Sequence, residues 1–554
     1  MAKESSGTLL TSAAKLFALI KLDKKDISSI YVFAILGGFI SLSLPLGIQT
    51  IISFVQTNQI SASVVVLITI VVLGVFLNGL VQVRQMQVVE KIEQKIFTRY
   101  SLAFADKLPK LNLEKLNNYY LPELVNRYFD TISLTKGIEK LLLDIPAAII
   151  QIFFGLLLLS FYHPVFIAFG AFLIFIVVLI IRFSSPKGLA TSLKASDYKY
   201  DMAAWLEEMA RVVKSFKFSK GTSLHMKKSD AIVSNYLEAR TAHFRVLLTQ
   251  YWSFIFFKII ITAAMLMMGA VLLIESKISV GQFIAADIVI ITIIGSVEKL
   301  ISSLDKVYDT LTSIEKLSKI LDSEIETGGS IQIADNNKGM AVEFDKVSFG
   351  YNDEEKVLNK ISFNISPGQM VCLNGASGSG KTTILRLLSG AYKNFDGNVL
   401  VDGIPIGNYD LKSLRGNTGI LLSQQDIFQA TLLENITLGN EAITIENINE
   451  LSEKVGLSDF IKNNKEGFDT LLDPLGKRLS KKERQNILLL RALVGSARLL
   501  LLEEPFDHLN EQQKASIIEL LKANKKHTII ITSQKEDTAN FCDVVFTLNE
   551  GNII

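Results

Sequence analysis

Apolar positions dominate the first half of the chain in long uninterrupted blocks, whereas the second half carries short apolar runs separated by turn residues. No Asp, Glu, Lys or Arg occurs from position 27 to 83, a run of 57 residues. Crossing a hydrocarbon layer takes about 20 apolar residues per helix, so this run predicts two spans, near 30–54 and 62–83, joined by the polar stretch Gln56-Thr57-Asn58-Gln59. The first is expected to bend or break around Pro45. A second block of 37 residues, 145–181, is divided by His163-Pro164, and a third pair lies near 247–274 and 279–297. The pattern predicts six spans.

The segments between pairs of spans are rich in helix formers with apolar periodicity, as at 88–111 and 203–218, and read as continuations of the membrane helices beyond the bilayer. Twenty further residues reach about 30 Å past the lipid, a lever able to transmit force. The segment 84–140 holds ten Lys/Arg and 182–245 holds twelve, whereas the turns at 55–61 and at His163 hold none. Basic residues are retained on the cytoplasmic side, which puts both long connections and both termini there. Positions 9–20 place Leu, Ala and Phe at helical spacing between lysines, the pattern of an interfacial amphipathic helix on the membrane lipid.

Composition agrees: 49% hydrophobic, 20% charged and a mean hydropathy of +0.34 disfavour a purely soluble protein. A net charge of +2 gives no basic field for nucleic acid, and two cysteines, Cys372 and Cys542, cannot organise a disulfide framework. Lys258 and Asp287 interrupt the last pair of spans. Charge at membrane depth is costly, so each is expected either to reach the lipid headgroups or a wet cavity, or to line a substrate path.

After a charged helix at 298–322, Gly, Ser and Asn cluster through 323–339 as a linker, and alternating strand patterns begin near Met340. The expected organisation is an N-terminal segment 1–27, a transmembrane domain 28–322, the linker 323–339 and a soluble domain 340–554. Positions 370–374 read as a buried strand running into Gly375-Ala376-Ser377-Gly378-Ser379-Gly380-Lys381-Thr382-Thr383. This is a complete phosphate-binding loop in strand-to-helix context. Its glycines let backbone N–H groups curl around phosphate oxygens, Lys381 reaches the outer phosphates, and the Thr382 hydroxyl can ligate Mg²⁺. Four leucines, 499–502, lead a second strand into Glu503-Glu504-Pro505, which brings two carboxylates beside that loop.

With these motifs the chain resembles a half-size ABC exporter over essentially its whole length. The resemblance implies a membrane α-helical bundle of six transmembrane helices with long cytoplasmic extensions, fused to an α/β P-loop NTPase cassette. It implies that two such chains associate and sandwich ATP and Mg²⁺ between their cassettes. Tyr351 matches the aromatic that stacks on adenine. Gln424, with Gln425 as the alternative, matches the loop glutamine that contacts Mg²⁺. Glu503 stands at the Mg²⁺ carboxylate, Glu504 at the catalytic carboxylate, and Ser480 in the signature that faces the opposite nucleotide. The helical tips that seat in a cassette are expected at 121–127 and 214–221.

Several positions depart from the family pattern. Leu-Ser-Gly-Gly-Gln is replaced by Leu479-Ser480-Lys481-Lys482-Glu483, the metal carboxylate is Glu503 rather than Asp, and the switch histidine is Ser533, followed by Gln534. Lysine side chains obstruct the close approach that glycines allow and oppose the helix dipole, although they could also bind phosphate as point charges. These changes lead to the expectation of a heterodimer with a second half-transporter that carries intact motifs, with slow or absent hydrolysis by this chain alone. The alternative is a regulatory or scaffolding membrane protein that binds ATP without turnover. About 27 residues precede the first span and none is cysteine, so leader-peptide cleavage is not expected. The transported substrate stays open among lipid, peptide, protein and drug. The many Ile, Lys and Asn residues and the lack of an organelle-targeting segment fit a bacterial inner membrane.

Overall fold

The computed structural model describes all residues except 1, 57–61, 117–120, 335, 337, 353–354, 424 and 524, and the side chains of all of these except 2–10, 116, 183–186 and 536. The expected outer turn around Thr57 to Gln59 therefore lies outside the described residues. The chain forms two units, one of Met1–Leu111 with Asn118–Ser323 and one of Asn112–Asn117 with Glu324–Ile554.

The helices of the first part of the chain, in order, are α1 (Ala2–Lys21), α2 (Lys24–Ser41), α3 (Ser43–Gln56), α4 (Ala62–Lys107), α5 (Leu113–Leu116), α6 (Leu121–Asn126), α7 (Asp130–Tyr162), α8 (Val165–Arg211), α9 (Val213–Lys217), α10 (Leu224–Ile274) and α11 (Val280–Leu321). Six helical stretches among the described residues are long and apolar enough to cross a membrane. The 51 residues of α10 span about 77 Å, far more than a hydrocarbon layer of about 30 Å, so the long extensions read from the sequence are present. The core of this unit is a seam of α7, α8, α10 and α11 side chains, with Leu159, Phe166, Leu173, Phe257, Ile261 and Ile293 among its buried members.

The first span is broken between α2 and α3 at Leu42. Pro45 has no N–H, so the Ser41 carbonyl receives no helical donor from the next turn, and the helix parts at that point. At the start of α2 an ion-pair cluster ties it to α4, with Lys95 on Asp26 (2.5 Å) and Asp23 (3.4 Å) and Arg99 on Asp23 (3.2 Å). α1 buries Leu16 and Leu19, its Ser12 hydroxyl donates to Glu315 (3.1 Å), and Lys15 pairs with Asp322 (2.8 Å) at the end of α11. Lys258 is exposed and Asp287 half-buried.

The second unit holds strands β1 (Val342–Phe349), β2 (Leu358–Ile365), β3 (Met370–Asn374), β4 (Asp396–Val401), β5 (Ile404–Pro405), β6 (Thr418–Leu421), β7 (Leu499–Glu503), β8 (Thr528–Ser533), β9 (Val544–Asn549) and β10 (Asn552–Ile553). Its helices are α12 (Lys381–Leu388), α13 (Leu411–Gly416), α14 (Leu432–Thr437), α15 (Ile445–Val455), α16 (Ser458–Asn463), α17 (Lys481–Leu493) and α18 (Glu511–Ala523). One sheet has the order β2-β1-β4-β5 and the other β10-β9-β3-β8-β7-β6, in which β3, β6, β7, β8 and β9 run parallel. Strands covered on both faces read as continuous apolar runs rather than alternating ones, and β3, β7 and β8 are buried along nearly their whole lengths. α5 belongs to this unit: Glu114 Oε1 accepts the backbone N–H groups of Lys393 (2.5 Å) and Asn394 (3.0 Å). The stretch 121–127, which holds α6, belongs to the first unit, and α5 precedes it in the same connection.

Candidate nucleotide-binding site

Parallel register brings three strand ends to one edge of the large sheet. Asn374, the last residue of β3, is opposite Ser533 of β8, and Glu503, the last of β7, is opposite Thr532. Ligands of open α/β sheets bind outside these carboxyl ends, and the phosphate loop starts there.

The loop is held by short local contacts. Asn374 Oδ1 accepts the Gly375 N–H (2.8 Å), and the Ser379 N–H donates to the Ala376 carbonyl (3.3 Å). Gly380 caps α12 at φ +102°, and a Cβ on Gly375 would come within 2.3 Å of the Leu548 carbonyl, so both positions require glycine. Lys381 Nζ donates to the Gly375 (2.7 Å) and Ala376 (2.8 Å) carbonyls and so lies over the mouth of the loop. Burial lowers its pKa, against the pull of Glu504 and Glu503. Ser379 Oγ is buried with no hydrogen-bond partner. A buried orphan hydroxyl inside a ring of backbone N–H groups fits an anionic phosphate ligand.

Thr382 Oγ1 donates to Glu503 Oε1 (2.5 Å), and Glu503 Oε2 accepts the Ser423 N–H (2.7 Å). The extra methylene of Glu503 thus still brings its carboxylate to the hydroxyl that would share Mg²⁺ with it. Gln424 lies outside the described residues. Gln425 is turned onto its own loop, where its Oε1 accepts the Leu422 N–H (3.2 Å).

Glu504 has a left-handed backbone (φ +45°), and its Oε1 is buried without a partner. Its carboxyl pKa is pushed up to about 7, first by burial and then by the nearby Asp507 charge, with Lys381 opposing. A carboxyl near neutrality beside the phosphate loop suits a general base. Its backbone carbonyl accepts from Gln485 Nε2 (3.1 Å) on α17. This tie was not read from the sequence. A cavity of about 310 Å³ opens here, lined by Ser423, Gln425, Lys481, Arg484, Glu503 and Glu504 among others.

The signature segment is a helix start. Ser480 caps α17 by accepting the Glu483 N–H (3.2 Å), and Glu483 returns to the Ser480 N–H (2.7 Å), a reciprocal capping box. Lys481 and Lys482 therefore occupy the first two helical positions, where cations oppose the dipole. Farther along α17, the half-buried Arg491 donates to the Asn435 carbonyl (2.7 Å) and the Asp426 carbonyl (3.3 Å), which fixes the glutamine loop region to this helix.

Tyr351 is half-buried. Its hydroxyl meets Thr383 Oγ1 (3.1 Å) and accepts from Arg386 (2.9 Å), while its ring packs edge-on to Phe349 and Tyr392. Ser533 is only 3% exposed and its hydroxyl faces its own turn, with Thr538 Oγ1 at 2.9 Å and the Lys535 N–H at 3.0 Å. The structure thus brings Gly375–Thr383, Glu503 and Glu504 together, while the Ser533 hydroxyl is committed elsewhere.

Two family models match the chain, one described as ABC transporter transmembrane region over residues 27–297 and one described as ABC transporter over residues 358–507. The solved structure of a bacterial Atm1-family ABC exporter with ATP bound superposes with a TM-score of 0.86, covering 96% of this chain and 95% of that one at 20% sequence identity, a likeness of fold. The chain is 31% identical over 290 residues to a probable ABC transporter ATP-binding/permease protein of Haemophilus influenzae, covering 52% of each. It is 35% identical over 239 residues to an ATP-dependent lipid A-core flippase of Saccharophagus degradans, covering 43% of this chain and 40% of that one. The chain spans about half the length of the curated relatives it matches.

Proposed function

We propose that this chain, which carries an ABC transporter transmembrane region and an ABC transporter ATP-binding domain in the half-size exporter fold, is one subunit of an ATP-driven exporter. The observation that carries the reading is the convergence of Lys381, Thr382, Glu503 and Glu504 on one sheet edge. ATP would lie on Gly375–Thr383 with Tyr351 toward the base, and Mg²⁺ would be shared by Thr382, Glu503 and Gln424. Mg²⁺ neutralises developing phosphate charge in such sites. Glu504 would take a proton from the attacking water, with Lys381 holding the outer phosphates.

The partner is a second, non-identical half-transporter. In a pair of identical chains each nucleotide would face Ser480, Lys481 and Lys482, and neither site would have a switch histidine. A partner with an intact signature supplies the glycine-lined helix start that this chain lacks. The cassette and both termini then face the cytoplasm and the protein is multi-pass in a bacterial inner membrane, as the distribution of Lys and Arg supports.

The engagement of Ser533 with Thr538 and Lys535 also favours a second reading, a subunit that binds ATP without hydrolysing it. Co-purification with the candidate partner, followed by ATPase assays of the pair with native chain and with Glu504→Gln, separates the two. Turnover that the substitution cuts sharply supports the exporter; ATP binding with a rate unaffected by the substitution supports the silent subunit.

A further inference from the structure

The broken first span opens onto a cavity that the nucleotide chemistry does not use. It has a volume of about 260 Å³, and its polar lining comes from Ser41, Ser43, Asn78, Gln151 and Thr292, on α2, α3, α4, α7 and α11. A smaller cavity of about 70 Å³ shares Ser41, Asn78 and Gln151 and continues to Gln82 and Gln85.

The site lies at membrane depth. Counted from the helix ends at Gln56, Ala62, Tyr162 and Val280, the positions Pro45, Asn78, Gln151 and Thr292 are about 16 to 24 Å in, close to the middle of a layer of about 30 Å. Polar groups at that depth are expensive unless they meet a partner or line a cavity, and broken helices in membranes are tolerated where they border one. The break is wedged in place: a Cβ on Gly74 would come within 2.5 Å of Ser43 Oγ, and one on Gly47 within 2.1 Å of Val71.

The hydrogen-bonding character can be read group by group. The Ser41 carbonyl loses its helical donor to Pro45 and is an acceptor. Gln151 lies 2.9 Å from the buried Ser296 Oγ, whose single proton is also within reach of the Thr292 carbonyl (2.9 Å), so the Gln151 amide supplies both donor and acceptor capacity at the cavity. Thr292 donates its proton to the Ile288 carbonyl (2.8 Å), so its oxygen is left to accept. Asn78 offers one acceptor and two donors. Among the described residues no charged side chain lines either cavity, and the remaining walls, such as Val75 and Ile288, are apolar.

We propose that this cavity binds an uncharged, hydroxyl-bearing amphiphile, with its head among Asn78, Gln151 and the freed Ser41 carbonyl and its apolar body along the neighbouring helices. A hydroxyl both donates and accepts within a small volume, which matches a mixed donor and acceptor lining. A charged head would meet no counter-ion at a depth where unpaired charge is costly. The site does not depend on ATP turnover.

The test uses the full chain in lipid nanodiscs and two diazirine probes of equal chain length, a monoacylglycerol with a neutral diol head and a fatty acid with a carboxylate head. Crosslinked peptides are mapped by mass spectrometry in the native chain and in Asn78→Leu and Thr292→Val, with thermal melting as the folding control. Preferential labelling of α2, α3 and α4 by the monoacylglycerol is expected. It should fall about tenfold in Asn78→Leu at unchanged melting, the scale of a lost buried hydrogen bond. Equal labelling by both probes, or labelling that neither substitution changes, marks ordinary surrounding lipid and overturns the proposal. If Asn78→Leu does not fold, the Thr292→Val result decides.

Discussion

The Thr382 hydroxyl lies 2.5 Å from Glu503 Oε1, so the first turn after the phosphate loop and the end of β7 already form the pair that would hold Mg²⁺. This contact predicts that Glu serves at a position where the resembled family has Asp. Glu503→Asp should weaken Mg²⁺-dependent ATP binding only a few-fold, whereas Glu503→Ala should lose most of the Mg²⁺ dependence. A fluorescent-nucleotide titration with and without Mg²⁺ checks both.

Lys381 donates to the Gly375 and Ala376 carbonyls at the mouth of the phosphate loop. Lys381→Ala should reduce ATP affinity about 10- to 100-fold, the value of one or two charge-assisted hydrogen bonds. The loop itself should keep its fold, because its other ties, such as Asn374 to Gly375, are unaffected. Equal affinity in the variant would place the nucleotide elsewhere.

Glu504 must be ionised to act as a base, and its carboxyl is raised to about 7. In the active pair, turnover should therefore climb between about pH 6 and about pH 8. Asp507→Asn removes a neighbouring like charge and should move the midpoint down. The stability sign is opposite: an acid whose folded pKa is raised destabilises the fold as pH rises above its unfolded value of about 4.5. Glu504→Gln should accordingly melt higher than the native chain at pH 8 and equally at pH 4.

Ser533→Ala should leave the turnover of the pair unchanged within about two-fold while costing about 1 kcal/mol of cassette stability, because its hydroxyl serves Thr538 and Lys535. A large loss of turnover would show that the hydroxyl reaches the phosphate during the cycle. Ser480→Ala breaks the capping box of α17 and should likewise cost about 1 kcal/mol in a melting experiment.

The six long helices and the phosphate loop were legible because their signals are local: run length fixes a span, and glycine spacing between a buried strand and a helix fixes the loop. The break at Leu42 was legible in part, since Pro45 removes a donor, yet Pro146 lies inside the continuous α7, so a proline alone does not fix a break. The tie from Gln485 to the Glu504 carbonyl was not legible, because it joins positions brought together only by packing α17 against β7. Nor was the inward turn of Ser533, which depends on Thr538 five residues later. The contact of α5 with the second unit was not legible, for a different reason. Several short helix-forming stretches occur between α4 and α7, and only the contact of Glu114 with Lys393 and Asn394 distinguishes α5.

The most direct test of the account is the ATPase rate of the purified full chain alone, beside its Glu504→Gln variant, in lipid nanodiscs. Lys481 and Lys482 at the start of α17 and the committed Ser533 hydroxyl predict that the two rates coincide at background even though ATP binds. Robust turnover by the chain alone, abolished by Glu504→Gln, would contradict the need for a non-identical partner and make the lysines and Ser533 working parts of a self-sufficient pair.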